Sequence, residues 1–394
     1  MPTLAKNLSA KINSKISNIP NPAIRSFNQK ISTIPGIIKL TIGEPDLNTP
    51  DHIKRAAIDD INSNDSHYAP EAGKEKYLDA VSKYLAKSLG VTYDPKSELC
   101  ATVGVSEGLN IAAMTLLNPG EKIIVPTPVW GVYFGIIKMA GGIPIQVDTS
   151  NDHFLLTPEK LTETLENEGK GAKAVIITDP SNPTGRVYSK KNLQELAAVI
   201  TKYDIFAVSD EIYAELIYGE KKHYSLTQLI PERTVLLSGL SKSVAMTGWR
   251  IGYIAAPAEL MKSMIKVNSF LISAVTDNVQ AAATEALNHG DQDYVDARKK
   301  YQKRMHLLQD GLEKNGYTMA TPEGAFYIFA KIPSKFGCDD VAFANDLAEK
   351  AKVGVTPGSY FGAGGQGYVR LSYASSDENL KEAIKRISSY TESN

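Results

Sequence analysis

Ser238-Gly-Leu-Ser-Lys-Ser-Val-Ala-Met-Thr-Gly-Trp-Arg-Ile-Gly-Tyr253 follows an apolar run, Thr234 to Leu237, and sets a lysine among small residues with an arginine eight positions further on. The run reads as a buried strand and the segment after it as the loop at the strand's carboxyl end. A lysine amine can join a carbonyl cofactor covalently, small neighbours admit a bulky aldehyde, and a nearby arginine can hold a phosphate. Lys242 is therefore the best catalytic candidate in the chain. Taken alone it reads more simply as a solvated surface lysine, and its companions decide the matter.

Outward from this segment, apolar β-rich runs alternate with amphipathic helical stretches between about Asp51 and His289. The strand candidates are Lys122–Val125, Ile143–Val147, Ala174–Thr178, Ile205–Ser209, Thr234–Leu237 and Ile251–Ala255. Helices are legible at Lys74–Leu89, with Tyr77, Val81, Tyr84 and Leu85 on one side, and at Lys191–Tyr203. Such alternation predicts an α/β fold: a mainly parallel sheet sandwiched by helices, binding its ligands beyond the carboxyl ends of the strands. From Asp291 the character changes to a long charged helix ending near Asn315, followed by short strands at Ala325–Ala330, Val353–Val355 and Tyr368–Tyr373. The expected division is an N-terminal arm that contributes to a small domain (1–50), a large domain (51–290) and a smaller α+β domain (291–394).

A chain of 394 residues suggests two domains with enough buried surface to need no covalent staple. Hydrophobic residues at 43%, charged residues at 22% and a net charge of −1 lack the basic excess that nucleic acid or an anionic membrane would demand. Small molecules are the expected partners. Cys100 and Cys338 stand far apart without histidine companions, so neither a disulfide framework nor a metal site is indicated. With no signal-like block and no stretch approaching ~20 apolar residues, the expected location is the cytoplasm.

Polar groups collect at the predicted strand ends. After Ala174–Thr178 comes Asp179-Pro-Ser-Asn-Pro-Thr-Gly185, whose prolines fix a rigid turn that can aim the Asn182 amide into a cleft. Ile205–Ser209 runs into Asp210-Glu-Ile-Tyr213, a carboxylate at a buried strand end with a tyrosine one turn on. A buried carboxylate is costly unless a cation meets it, and a protonated pyridine nitrogen is one such cation.

Ser181-Asn-Pro-Thr-Gly185, Ser209-Asp-Glu-Ile-Tyr213, Ser241-Lys242, Gly248-Trp-Arg250 and Tyr368-Val-Arg-Leu-Ser372, in this order, resemble the pyridoxal-phosphate aminotransferases of classes I and II, with the aspartate aminotransferase fold. The likeness runs from Thr41-Ile-Gly-Glu-Pro-Asp46 to the C-terminal helix. It is nearest the prokaryotic branch of aspartate, aromatic and N-acetyl-diaminopimelate aminotransferases. The resemblance implies pyridoxal 5'-phosphate on Lys242, with that amine moving the substrate proton. It implies Asp210 on the pyridine nitrogen, Asn182 and Tyr213 on the ring hydroxyl oxygen, and Trp130 stacked on the ring.

A phosphate dianion needs helix N-terminal amides and fixed positive charge. Gly104-Val-Ser-Glu-Gly108 opens the predicted Leu109–Leu117 helix suitably, so Val105 and Ser106 are expected at the phosphate. The resemblance adds Ser241 and Arg250 there, and Tyr68 reaching across to the neighbouring site of a homodimer. Arg370 offers a rigid fork for the α-carboxylate of an amino acid. Gly43 would bring backbone against the same carboxylate, where only glycine comes so close.

Classical aspartate aminotransferases bind the distal carboxylate with a partner-subunit arginine, on the segment matching about Asn268–Asn278. This chain has no arginine between Arg250 and Arg298. Some aspartate-selective relatives place a lysine where Ser106 aligns, and that charge is absent too. The expected donor is therefore aromatic or broadly neutral, with 2-oxoglutarate as acceptor and ping-pong exchange. Aspartate or N-acetyl-diaminopimelate is the alternative. A β-lyase or synthase could use the same Lys242, Asp210 and Arg370. A regulatory protein would need a DNA-binding extension, for which the first forty residues offer too little length and charge.

Overall fold

The computed structural model describes residues 1–393; Asn394, the last residue of the expected small domain, lies outside the described residues. A seven-stranded sheet forms the centre of the larger part. Across it the strands run Leu99–Thr102, Gly252–Ala255, Thr234–Gly239, Phe206–Asp210, Ala174–Thr178, Lys122–Thr127 and Ile143–Asp148. The inner strands are apolar on both faces because helices cover both. Ile176 joins one cluster with Leu109, Ile111 and Met261, while its neighbours Val175 and Ile177 join the opposite one with Leu161, Leu193 and Leu196.

The helix Lys190–Lys202 shows why these residues take this form. Ser189 caps it by accepting from the Asn192 amide, and the Asn192 side chain returns the bond to the Ser189 amide. Leu193, Leu196, Ala197 and Ile200 then fall on one buried stripe at helical spacing.

Gly252–Ala255 is antiparallel to both of its neighbours, whereas the other strand pairs of this sheet are parallel. The sheet is thus mainly parallel, as expected, with the Ile251–Ala255 run supplying its antiparallel member. Its connection from Thr234–Gly239 has no crossover helix, and a chain that returns without one can only pair antiparallel. Other differences are shifts of register or omissions. Leu99–Thr102 was not anticipated, Ile205–Ser209 becomes Phe206–Asp210, and the predicted Leu109–Leu117 helix starts earlier, as Val105–Leu116. That last shift matters, because it makes Val105 and Ser106 the first turn.

The remaining core is built from the two ends of the chain. Phe27 and Ile31 of the helix Ala23–Ile31 pack with Tyr301, Leu308, Phe343, Leu347 and Ile387. Ile38–Lys39 pairs with Val353–Gly354, and the Ser372 amide donates to the Leu40 carbonyl at 2.8 Å. A four-stranded antiparallel sheet, ordered Thr356–Pro357, Tyr368–Ser372, Tyr327–Lys331, Thr318–Met319, lies within this core. Among the described residues no helix is long and apolar enough to cross a membrane.

Candidate active site

Strand ends and the two-ended core meet at Lys242. The lysine follows the strand Thr234–Gly239 in a turn, half-buried, and its Nζ donates to the Gly43 carbonyl at 2.8 Å. Burial pushes the amine down to about 8. Arg250 and Arg370 act in the same direction, against the pull of Glu44 and Asp210. A neutral amine near pH 8 is a nucleophile and a base, which an ordinary lysine near ~10.4 is not. In the cofactor-free protein, acylation of Lys242 by a small reagent should rise with a midpoint near pH 8. Peptide mapping of that residue across a pH series reads the midpoint, which for a free lysine lies at about 10.4.

Asp210 ends its strand almost fully buried. The Tyr133 hydroxyl donates to its Oδ2 at 2.6 Å and the Ile212 amide to its Oδ1 at 3.2 Å. Burial still pushes the carboxyl up to about 6, because among the described residues no cation pairs with it. A cationic ring nitrogen would relieve that cost.

Arg370 is the mirror case. It lies 2% exposed on Tyr368–Ser372, with one guanidinium nitrogen donating to Asn182 Oδ1 at 2.9 Å and another to the Thr41 carbonyl at 2.6 Å. Its guanidinium carbon Cζ lies 4.4 Å from the Tyr327 ring centre and 5.0 Å from that of Phe361. Its Nε has no hydrogen-bond partner, and no carboxylate among the described residues forms an ion pair with it. Burial pulls its pKa down. A buried, uncompensated guanidinium is a receptor for an anion.

Tyr213 is buried and its hydroxyl meets that of Tyr327 at 2.7 Å. Trp130 is half-buried, edge-on to Tyr133 with ring centres 5.8 Å apart. Lys242, Asp210, Asn182, Tyr213, Gly43 and Arg370 are therefore joined by hydrogen bonds and electrostatic interactions into one group. Tyr68 is not brought into it: the side chain is 93% exposed.

The residues expected at the phosphate form a second group. Gly104 precedes the helix Val105–Leu116 with φ +75°, and no side chain caps that end. The first amides of a helix have no acceptor within it, so Val105 and Ser106 are free to face an anion. Arg250 stands opposite, held by the carbonyls of Thr247 and Val103 at 3.1 Å each, and Ser241 is buried beside the lysine. A methyl group at Gly104 would lie 2.6 Å from Arg250 Nη2. Gly104→Ala should cost about 1–3 kcal/mol in stability from strain and should also weaken binding of the phosphate-bearing cofactor. Gly36→Ala, at φ +70° with nothing within 4 Å, should show the strain without the binding loss. Thermal melts and equilibrium titration with cofactor separate the two effects.

Some residues escaped the sequence reading. Tyr133, three residues after Trp130, drew no reading of its own. Tyr327 carried no local signal, since its partner Tyr213 is far away in the chain, and Thr41, quoted only as the start of the likeness, meets Arg370 through its backbone carbonyl.

A family model described as aminotransferase class I and II matches residues 35–387. The chain is 39% identical over 376 residues to the probable N-acetyl-LL-diaminopimelate aminotransferase of Bacillus subtilis (strain 168), covering 95% of this chain and 94% of that protein. It is 36% identical over 373 residues to aromatic-amino-acid aminotransferase 2 of Thermococcus litoralis, covering 93% and 95%. The solved structure of aspartate aminotransferase from Thermus thermophilus with maleate superposes with a TM-score of 0.89 at 34% identity, covering 99% of this chain and 100% of that one. The chain belongs to the class I and II aminotransferases. Its substrates are amino and oxo acids and its cofactor is pyridoxal 5'-phosphate. The free helix end opposite Arg250, the unpaired Asp210 and the depressed Lys242 amine fit the three functional ends of that molecule.

Proposed function

We propose that the protein moves the amino group of an L-amino acid to a 2-oxo acid, with 2-oxoglutarate as acceptor, by ping-pong exchange. The donor is aromatic or broadly neutral. The observation that supports this most directly is the flanking of a near-neutral amine, Lys242, by two buried charges without counter-ions, Asp210 and Arg370.

When bound, the cofactor supplies a carbonyl for amine capture and an electron-withdrawing ring that spreads the charge left at the substrate's Cα. Lys242 Nζ takes the Cα proton and returns it at C4′. Asp210 keeps the ring nitrogen protonated by remaining ionised against it, with the Tyr133 hydroxyl holding the carboxylate in place. Asn182 and Tyr213 serve the ring oxygen and Trp130 covers the ring face. The Val105 and Ser106 amides, the Ser106 and Ser241 hydroxyls and Arg250 hold the phosphate. Arg370 and Gly43 grip the substrate α-carboxylate, with Asn182 and Trp130 beside them. Tyr68 serves the neighbouring site of a homodimer, a reading its 93% exposure supports.

The neutral donor rests on Ser106 in the phosphate loop and on the lack of arginine between Arg250 and Arg298. A second reading, N-acetyl-diaminopimelate or aspartate as donor, is favoured by the 39% identity to the Bacillus subtilis relative and by the TM-score of 0.89 to the Thermus thermophilus aspartate aminotransferase. Mixing the holoenzyme with one amino acid at a time and recording the absorbance change of the cofactor tests both. A response to phenylalanine and tyrosine but not aspartate supports the first reading; the reverse order overturns it. Release of ammonia and pyruvate in place of an aminated cofactor would point to a β-lyase.

A further inference from the structure

We infer that Tyr327 is a positioning residue: its hydroxyl donates to Tyr213, which leaves the Tyr213 hydrogen free for the ring oxygen of the cofactor. The inference rests on the role proposed above for Tyr213.

Tyr213 follows the strand Phe206–Asp210 of the large sheet, and Tyr327 opens Tyr327–Lys331, the strand paired with the one bearing Arg370. The rings meet edge to face at 5.8 Å and the hydroxyl oxygens lie 2.7 Å apart. Both residues are buried, at 3% and 1% exposure, and neither hydroxyl has another hydrogen-bond partner among the described residues. Two hydroxyls bring two hydrogens, and the bond between them uses one. The other must point elsewhere.

The surroundings decide which hydrogen is left over. The Tyr327 oxygen faces the Gly43 backbone so closely that a Cβ there would lie 2.3 Å away. The Gly43 carbonyl accepts from Lys242 Nζ, and no hydrogen bond joins it to the Tyr327 hydroxyl. If Tyr213 donated, the Tyr327 hydrogen would be walled in without an acceptor, and a buried donor left unsatisfied is destabilising. If Tyr327 donates, every hydrogen has a use. The Arg370 cation, 4.4 Å above the Tyr327 ring, favours this direction because it draws electron density from that ring and sharpens its hydroxyl as a donor. Accepting a bond also strengthens the bond Tyr213 gives onward, by roughly 10–30%.

A donor on the ring oxygen stabilises negative charge there and lowers the proton affinity of the nitrogen joining Lys242 to the cofactor. Removing the donor raises the pH midpoint of the bound cofactor's absorbance band. The test is that midpoint, read by spectrophotometric titration of four holoenzymes: the native chain, Tyr327→Phe, Tyr213→Phe and the double variant. Each substitution keeps its ring, so the packing and the face under Arg370 survive. The expected result is a large upward shift in Tyr213→Phe, a smaller upward shift in Tyr327→Phe, and a double variant equal to Tyr213→Phe alone. A merely structural Tyr327 would move stability but not the midpoint. An unmoved midpoint in Tyr327→Phe beside a shifted Tyr213→Phe overturns the inference alone, as do shifts that add in the double variant. An unmoved midpoint in Tyr213→Phe overturns the proposed role of Tyr213, and the inference with it.

Discussion

Lys242→Ala is expected to remove transamination while leaving the fold intact. The amine has two tasks in the proposed mechanism, covalent capture and movement of the Cα proton, and alanine performs neither. Loss of the proton-transfer role alone predicts roughly 10²–10⁴-fold in turnover. The cost to folding is small because two effects oppose each other. The Gly43 carbonyl loses its donor, but a half-buried amine whose charged form is disfavoured by burial is also removed. Borohydride reduction of the reconstituted native protein should label Lys242, and the variant should carry no label there and melt near the native temperature. Turnover and labelling that both survive in Lys242→Ala would sink the assignment of the lysine.

Arg370→Lys is expected to cost nearly as much as Arg370→Leu. The guanidinium uses separate nitrogens for Asn182 and Thr41 and sits 4.4 and 5.0 Å from the centres of two aromatic rings, so its orientation is fixed before any substrate arrives. A lysine supplies charge without the planar fork. Removing one member of a buried charged contact costs about 2–5 kcal/mol, which predicts a fall of roughly 30- to 5,000-fold in kcat/KM for amino acids. Amines without an α-carboxylate offer the control. Their slow reaction should be unchanged within a few fold, and an equal loss for both substrate classes would show that the arginine does not read the carboxylate.

The catalytic side of the cleft was legible because its groups sit where apolar runs stop. Asp210, Asn182 and Lys242 each follow a run of buried strand, and the architecture sends such positions to one edge. Arg370 was legible for a different reason, as a charge between apolar neighbours. Less legible were the residues whose meaning depends on a distant partner. Tyr327 reads as one more strand aromatic until Tyr213 is placed against it, and Tyr133 draws no notice until Asp210 is found beneath it. Strand direction is hidden for the same reason, since Gly252–Ala255 looks like its neighbours and only the missing crossover reverses it. The four residues Leu99–Thr102 gave too short a run to register.

That reversed strand has a mechanical result. Gly239 and Gly252 are paired rungs, and each is packed so tightly that a side chain would strike backbone, at 2.7 Å from the Ile251 carbonyl and 2.8 Å from the Ser238 carbonyl. The chain from Leu240 to Ile251 is thereby a purse drawn shut at its mouth, with Lys242 and Arg250 stitched into the same rim. On the roles proposed above, the amine that captures the aldehyde end of the cofactor and the guanidinium that grips its phosphate end therefore sit on one closed loop and keep a fixed separation.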